Sequence, residues 1–198
     1  MKTLVNSIII AAALMLSLSA SAQQTSTLTD SRDGKTYKTV TIGKQIWMAE
    51  NLAYKATADC WAYEENEKNV PLYGYLYTYE ASLKVCPTGW HLPTDKEWTL
   101  MSDFLGGQDN AGIKLKLPEA WKGAQDTATN SSGFTALPGG FRYVGGAYQR
   151  IGLKGFWWTA TESEGNTAWY RSMFNTNNTL NRYDDMTEYG LSVRCVKD

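Results

Sequence analysis

The pattern of hydrophobic and polar residues predicts a β-hairpin early in the chain. Asp33-Gly34 precedes a strand that contains Tyr37, Val40 and Ile42. Gly43-Lys44 follows it, and a type II′ hairpin requires glycine in this first turn position. The hydrophobic residues between 46 and 52 then form the returning strand.

A short helix is predicted before the segment CPTGW. Over about Thr78 to Val85, the spacing places Tyr79, Leu83 and Cys86 on one helix face. The polar stretch before it, residues 53–72, is predicted to be a loop that contains Trp61 and Tyr63.

A second helix follows CPTGW and has clearer boundary signals. Thr94 is its predicted N-cap, and Glu97 completes a capping box. Three hydrophobic residues then fall on one face, and Gly106-Gly107 ends the helix. These residues are Trp98, Met101 and Leu105.

No strong helical period follows Lys116. Up to Asp185 the sequence is rich in glycine, asparagine, threonine and aromatic residues, which indicates short strands and long loops. In the pairs Trp157-Trp158 and Trp169-Tyr170, strand alternation sends neighbours to opposite faces. We therefore expect one ring of each pair in the core and the other more exposed.

The first residues indicate export. Lys2 precedes an apolar stretch from Leu4 to Leu18, and Ala20-Ser21-Ala22 offers a small-x-small cleavage site. We expect a signal peptide over residues 1–22, a flexible lead-in over 23–30, and one domain over 31–198. A membrane anchor would need a longer apolar span. The predicted location is periplasmic, cell-surface or secreted, without membrane insertion once the signal is removed.

Composition narrows the possible partners. The formal net charge is −1, and no long run of one sign occurs, so nothing favours nucleic acid. Tyrosine and tryptophan are abundant, with twelve and eight copies against five phenylalanines. Rings with a polar edge suit surfaces that are packed on one side and wet on the other.

Three cysteines in an exported protein allow one disulfide and leave one thiol over. Cys86 ends the first predicted helix and Cys195 lies in the final strand, so this pair can join the two across the domain, and we expect it to form. Cys60 is then either a buried thiol or available for a bond between chains.

Seven ordered segments resemble the Fibrobacter succinogenes major paralogous domain family. They are TIGKQIWMAENL, YGYLYTYEAS, VCPTGWHLPTDKEWTLM, GFTALPGGFR, GFWWTATE, AWYRSMF and GLSVRCVKD. The resemblance covers about residues 30–198. It implies an exported or cell-surface bacterial protein with a C-type-lectin-like fold, and it implies no established reaction or ligand.

The resemblance therefore implies an α+β chain: two short helices, small antiparallel sheets, long loops and a disulfide. HLPTDKEW is also similar to a segment of formylglycine-generating-enzyme-like proteins, which have the same fold. In lectin-like domains a cysteine that ends the first helix pairs with one in the last strand, the places of Cys86 and Cys195 here.

Candidate catalytic chemistry is sparse. His91 is the only histidine, and no HExxH, P-loop or GxSxG motif occurs. Formylglycine generation would need two working cysteines, and only Cys60 lies outside the expected disulfide. We expect no cofactor, with calcium left open because acidic residues could supply some of its oxygen ligands. Asp184, Asp185 and Glu188 cluster in a loop before the last strand, and Glu162 and Glu164 follow the tryptophan pair.

The predicted ligand-binding residues lie in or beside the long loops of the second half. They combine rings with amide and guanidinium groups, which suits recognition of a polysaccharide or a surface protein. The predicted set is Tyr143, Tyr148, Arg150, Arg171, Asn175, Asn177, Arg182 and Tyr183, with Asn178 beside it. The primary hypothesis is a non-enzymatic binding module. The alternatives are an enzyme related to formylglycine generation and a structural adhesion subunit.

Overall fold

The structure is a computed structural model that describes residues 24–123 and 127–198. Its helices are α1 (Val70–Tyr73), α2 (Tyr79–Ser82), α3 (Asp95–Phe104) and α4 (Ala111–Leu115), with 3-10 turns at Tyr63–Glu65, Glu67–Asn69 and Pro118–Ala120. The predicted signal peptide, residues 1–22, lies outside the described residues.

Most of the chain is arranged in short strands. They are β1 (Thr25–Thr29), β2 (Thr36–Ile42), β3 (Gln45–Met48), β4 (Cys60–Trp61), β5 (Leu76–Tyr77), β6 (Trp90–His91), β7 (Gly139–Arg142), β8 (Tyr148–Ile151), β9 (Lys154–Glu162), β10 (Thr167–Phe174), β11 (Asn181–Met186), β12 (Leu191–Ser192) and β13 (Val196–Lys197). The chain is therefore of the α+β class, with few and short helices.

The first sheet has the strand order β1-β2-β3-β13-β6. The predicted hairpin forms its centre, since β2 pairs antiparallel with β3 around a two-residue turn at Gly43-Lys44. Gly43 has φ 62°, a backbone conformation that glycine adopts without strain.

The N-terminal segment corrects one prediction. A flexible lead-in over residues 23–30 is wrong for Thr25–Thr29, which form an edge strand paired in register with β2 from Thr25↔Val40 to Thr29↔Thr36. Threonine favours extended backbone, and the outer edge of β2 offers the hydrogen bonds that a polar segment needs.

The second sheet has the order β11-β10-β9-β12-β5-β4, with β7 joined to β9 and β8 joined to β7. Because β9 is central, both of its faces are covered. Trp157 and Trp158 are each 0% exposed, which corrects the expectation that one ring of this pair would be the more exposed. Trp169 and Tyr170 are both half-buried.

The two tryptophans enter different cores. Trp157 packs in a core with Trp47, Trp98 and Phe134 beneath α3. Trp158 lies in the other core, which contains Cys195 and Phe156. The sheet around β9 therefore separates two hydrophobic layers.

The capping box of α3 is confirmed. The Thr94 side chain accepts a hydrogen bond from the Glu97 backbone N–H, and the Glu97 carboxylate accepts one from the Thr94 backbone N–H at 2.8 Å. Trp98, Met101 and Leu105 are buried as predicted.

The helix predicted over about Thr78 to Val85 is shorter than expected. Thr78 caps α2, which ends at Ser82, and Leu83 is exposed rather than on a buried face. Pro87 disfavours helical backbone at the residue before it, which limits this segment. The predicted loop over 53–72 contains β4 and a short helical segment, and α4 was not predicted.

The predicted disulfide joins Cys86 to Cys195, with 5.9 Å between the Cα atoms and a sequence separation of 109. It ties the segment after α2 to the residue that precedes β13. Within the described residues, no helix has the length and hydrophobicity of a membrane-crossing segment.

Candidate functional site

A groove opens on one face of the second sheet. Its volume is about 290 Å³, and seven aromatic side chains line it together with Arg150, Lys154, Asp185 and Leu191. The rings are those of Phe141, Tyr143, Phe156, Tyr170, Phe174, Tyr183 and Tyr189. Of the predicted binding residues, Tyr143, Arg150 and Tyr183 are brought together here.

Strand alternation builds the wall of the groove. Lys154 and Phe156 point to this face from β9, and Tyr170 and Phe174 do so from β10. The register places Lys154 opposite Phe174 and Tyr170 opposite Tyr183. Side chains from three adjacent strands therefore converge.

The rings form a continuous surface that grows out of the core. Phe141 and Phe156 are buried at its base, with ring centroids 5.0 Å apart. Phe174 stacks on Tyr183 at 6.5 Å with an interplanar angle of 9°. Tyr183 is 45% exposed, so the outer part of the surface is open to solvent.

The tyrosine hydroxyls of the groove have no hydrogen-bond partner among the described residues. This holds for Tyr143, Tyr170, Tyr183 and Tyr189. Other tyrosine hydroxyls form hydrogen bonds within the protein. The Tyr75 hydroxyl donates to Glu67 at 2.6 Å, and the Tyr77 hydroxyl donates to the Tyr54 carbonyl at 2.6 Å. The groove thus presents donors and acceptors that the protein leaves unused.

Two cations line the groove. The Lys154 Nζ lies 3.8 Å from the centroid of the Phe174 ring, and burial together with the nearby Arg150 charge lowers the pKa of Lys154. Arg150 is exposed and has φ 72°, which is unfavourable for a residue with a side chain. Backbone strain of this kind often accompanies functional sites.

Two predicted binding residues, Arg171 and Arg182, lie on the other face of the sheet. Both guanidinium groups bind Asp95 of α3 with N–O distances of 2.7 Å, and Arg171 is buried. Burial lowers the pKa of Arg171, against the opposing effect of Asp95. The prediction placed them in or beside the ligand-binding loops, whereas they alternate with the groove residues along β10 and β11 and face the other side of the sheet.

Tyr148 is also absent from the groove. Its hydroxyl donates to Glu65 at 2.5 Å, and its ring lies 5.2 Å from that of Tyr63. The left-handed backbone at Arg150 interrupts alternation along β8, so the two side chains do not share a face. Burial and the hydrogen bond to Glu65 raise the pKa of Tyr148 to about 12.

The predicted asparagines stabilise a loop. Asn175 donates to the Lys122 carbonyl at 2.7 Å, and Asn178 donates to Thr127 at 3.1 Å. The Asn177 side chain accepts from the Thr179 backbone N–H, while its carbonyl accepts from the buried Lys116 ammonium. None of the three lines the groove.

Two of the acidic residues considered for calcium form hydrogen bonds with neighbouring side chains. Asp184 accepts hydrogen bonds from Ser163 and Thr167, each at 3.0 Å, and Glu188 accepts one from Asn166. In the described part of the chain, no group of three His, Cys, Asp or Glu residues is placed to hold a metal ion.

His91 and Cys60 lie outside the groove. His91 sits between two carboxylates, with Nδ1 2.7 Å from Asp198 and Nε2 3.0 Å from Glu97. Cys60 is a free thiol in β4, and burial raises its pKa to about 11.

Several groove residues were missed by sequence reasoning: Phe141, Lys154, Phe156, Phe174 and Tyr189. The sequence indicates that Lys154 and Phe156 lie on the same face of a strand. It does not show whether that face is open to solvent, because this depends on which strands flank β9. Asp185 was noted only as an acidic residue.

The Fibrobacter succinogenes major domain family model matches residues 40–197, which include every residue lining the groove. Comparison with curated proteins and with solved structures gives no match.

Proposed function

The chain belongs to the Fibrobacter succinogenes major domain family, and we propose that it is an exported binding module that holds a glycan in the aromatic groove. The observation that carries this proposal is the convergence of seven rings with four unpartnered tyrosine hydroxyls. Ligand sites typically combine an apolar wall with a few polar groups that fix orientation.

The chemistry of the groove suits a sugar. The apolar faces of sugar rings pack on aromatic faces, and sugar hydroxyls exchange hydrogen bonds with tyrosine hydroxyls, which both donate and accept. The volume of about 290 Å³ lies just below the ~300–1,000 Å³ range of ligand pockets, which suits a short part of a longer glycan.

Export and a lectin-like fold complete the proposal. The Cys86–Cys195 disulfide is consistent with an oxidising compartment. It also links the segment after α2 to the end of the chain, the connection that lectin-like domains use. This connection supports the proposal that the fold is C-type-lectin-like.

The two alternative functions both depend on Cys60. A thiol whose pKa is raised to about 11 carries little thiolate at neutral pH, which disfavours an enzyme that uses it as a nucleophile. A structural adhesion subunit bridged through Cys60 would run as a covalent dimer in non-reducing electrophoresis, and this proposal expects a monomer.

The test is affinity electrophoresis of the expected mature chain, residues 23–198, against neutral and acidic polysaccharides, with calcium and with a chelator. We expect retardation by at least one polysaccharide and its loss in Tyr183→Ala. The matched control is Phe104→Ala, which removes a ring that is 65% exposed on α3, away from the groove. Equal retardation of Tyr183→Ala and wild type would contradict the proposed site.

A further inference from the structure

The two cations of the groove, Lys154 and Arg150, lack a counter-ion. Neither forms an ion pair in the described part of the chain. The Lys154 Nζ lies over the Phe174 ring, 3.8 Å from its centroid, and forms no hydrogen bond in the described part of the chain. The two like charges line one groove and repel each other, and an anion bound between them would relieve this repulsion.

The acid that lines the groove does not supply this anion. Asp185 pairs in register with Ala168, while Lys154 pairs with Phe174, six residues away along β10. At about 3.3 Å per residue, this separates the two positions by ~20 Å of strand. Asp185 also accepts a hydrogen bond from the Met186 backbone N–H. The groove therefore has a cationic end and an acidic end.

From this polarity we infer that the glycan is acidic and places its anionic group, a ring carboxylate or a sulfate ester, between Lys154 and Arg150. This inference rests on the proposed function. The guanidinium group binds a planar carboxylate through paired hydrogen bonds, and the ammonium adds a second charge. Sugar rings next to the anion then lie over Phe174 and Tyr183.

The electrostatics agree with this placement. The pKa of Lys154 is lowered by burial and by Arg150, so the free protein holds two charges that oppose each other. An anion between them removes the repulsion. Anion binding also accounts for the left-handed backbone at Arg150, where φ is 72°. This backbone conformation places the guanidinium group in the groove, while the side chain of Tyr148 lies outside it and contacts Glu65.

The experiment measures affinity for two matched pairs of polymers: polygalacturonate against its carboxyl-reduced form, and dextran sulfate against dextran. We expect at least one acidic polymer to bind about tenfold or more tightly than its neutral counterpart, with an affinity that falls as salt rises. Lys154→Met and Arg150→Asn should each remove most of this preference. Asparagine tolerates the left-handed backbone at this position.

The matched control is Lys44→Met, which removes one positive charge at the hairpin turn of the first sheet. It should leave both affinities unchanged. If neutral and acidic members of each pair bind wild type equally, the inference is overturned while the glycan proposal stands. If no polymer binds, both fail. Preference retained in Lys154→Met and Arg150→Asn, each shown by circular dichroism to be folded, would also overturn it.

Discussion

Tyr170 lies directly opposite Tyr183 on adjacent antiparallel strands, with ring centroids 6.1 Å apart, on the open face of the second sheet. The next residue pair in this register, Arg171 and Arg182, points to the opposite face and binds Asp95. One pairing of two strands therefore builds the groove on one side and attaches α3 on the other.

Substitutions at two adjacent residues of β11 should therefore affect different properties, one glycan binding and the other stability. Tyr183→Ala should weaken glycan binding about tenfold and leave the free energy of unfolding nearly unchanged, because the ring is at the solvent edge. Arg182→Ala should leave binding unchanged and lower the free energy of unfolding by about 1 kcal/mol, since it loses an exposed ion pair and a stacking contact with Trp169. Calorimetry and urea unfolding measure the two quantities, and the reverse assignment would contradict the sheet register.

Asn51 is predicted to be among the most sensitive positions for stability. Its side-chain oxygen accepts from Trp157 at 2.9 Å and from the fully buried Arg194 at 2.8 Å, and its amide donates to the Tyr73 carbonyl. Asn51→Ala leaves these buried groups without a partner, at a cost of about 3 kcal/mol or more. Urea unfolding measures it, with the exposed Asn177→Ala as a control. A loss below about 1 kcal/mol would mean that Arg194 finds another acceptor.

The disulfide should contribute strongly to stability. It closes a loop across a sequence separation of 109 residues, and the chain-entropy model gives an upper figure of about 4–5 kcal/mol for a loop of this size. The double variant Cys86→Ser/Cys195→Ser should lower the free energy of unfolding by about 2–5 kcal/mol. Reductant should destabilise wild type and leave the double variant unaffected. Cys60→Ser is the control, and it should retain the response to reductant.

His91 should make stability depend on pH. Burial of the imidazole opposes protonation, but hydrogen bonds to Asp198 and Glu97 outweigh it and raise the pKa of His91 above its ordinary value of 6.5. A raised pKa in the folded state means that the protonated ring stabilises the fold. This contribution is complete below about pH 6.5 and is lost as pH rises through the folded-state value.

The measurement is the melting temperature of wild type and His91→Gln from pH 5.5 to 8.5. Wild type should exceed the variant at the acidic end, and the gap should close toward the alkaline end. The difference in melting temperature between the two proteins cancels the contributions of other titrating groups. One of these is the buried Lys116, whose pKa is lowered by burial to about 8. A gap that widens as pH rises would contradict the raised pKa.

The parts of the fold that the sequence predicts are those set by local chemistry. The capping box depends on Thr94 and Glu97, three residues apart in sequence, and Gly43 permits the tight turn of the β2–β3 hairpin. The pairing of Cys86 with Cys195 was predicted from their expected places, at the end of the first helix and in the final strand. The edge strand β1 escaped prediction because its polar sequence is held only by the neighbouring β2.

The candidate site was only partly predictable for a related reason. Tyr143, Arg150 and Tyr183 were identified by residue type, but the same criterion also selected Arg171 and Arg182. Telling these sets apart requires the register of β10 with β11, which long-range pairing determines. The burial of both Trp157 and Trp158 was unpredictable for the same reason. It depends on β9 being a central strand with both faces covered, which the local sequence does not show.

The most direct test of the groove is an NMR titration of the ¹⁵N-labelled protein, residues 23–198, with a short oligogalacturonide and with an isomalto-oligosaccharide. We predict that one or both shift the backbone amides of β9, β10 and β11, centred on Phe156, Tyr170 and Tyr183, while amides around Phe104 on α3 stay in place. Shifts that cluster away from these strands, or no shift with either sugar at millimolar concentration, would contradict the account.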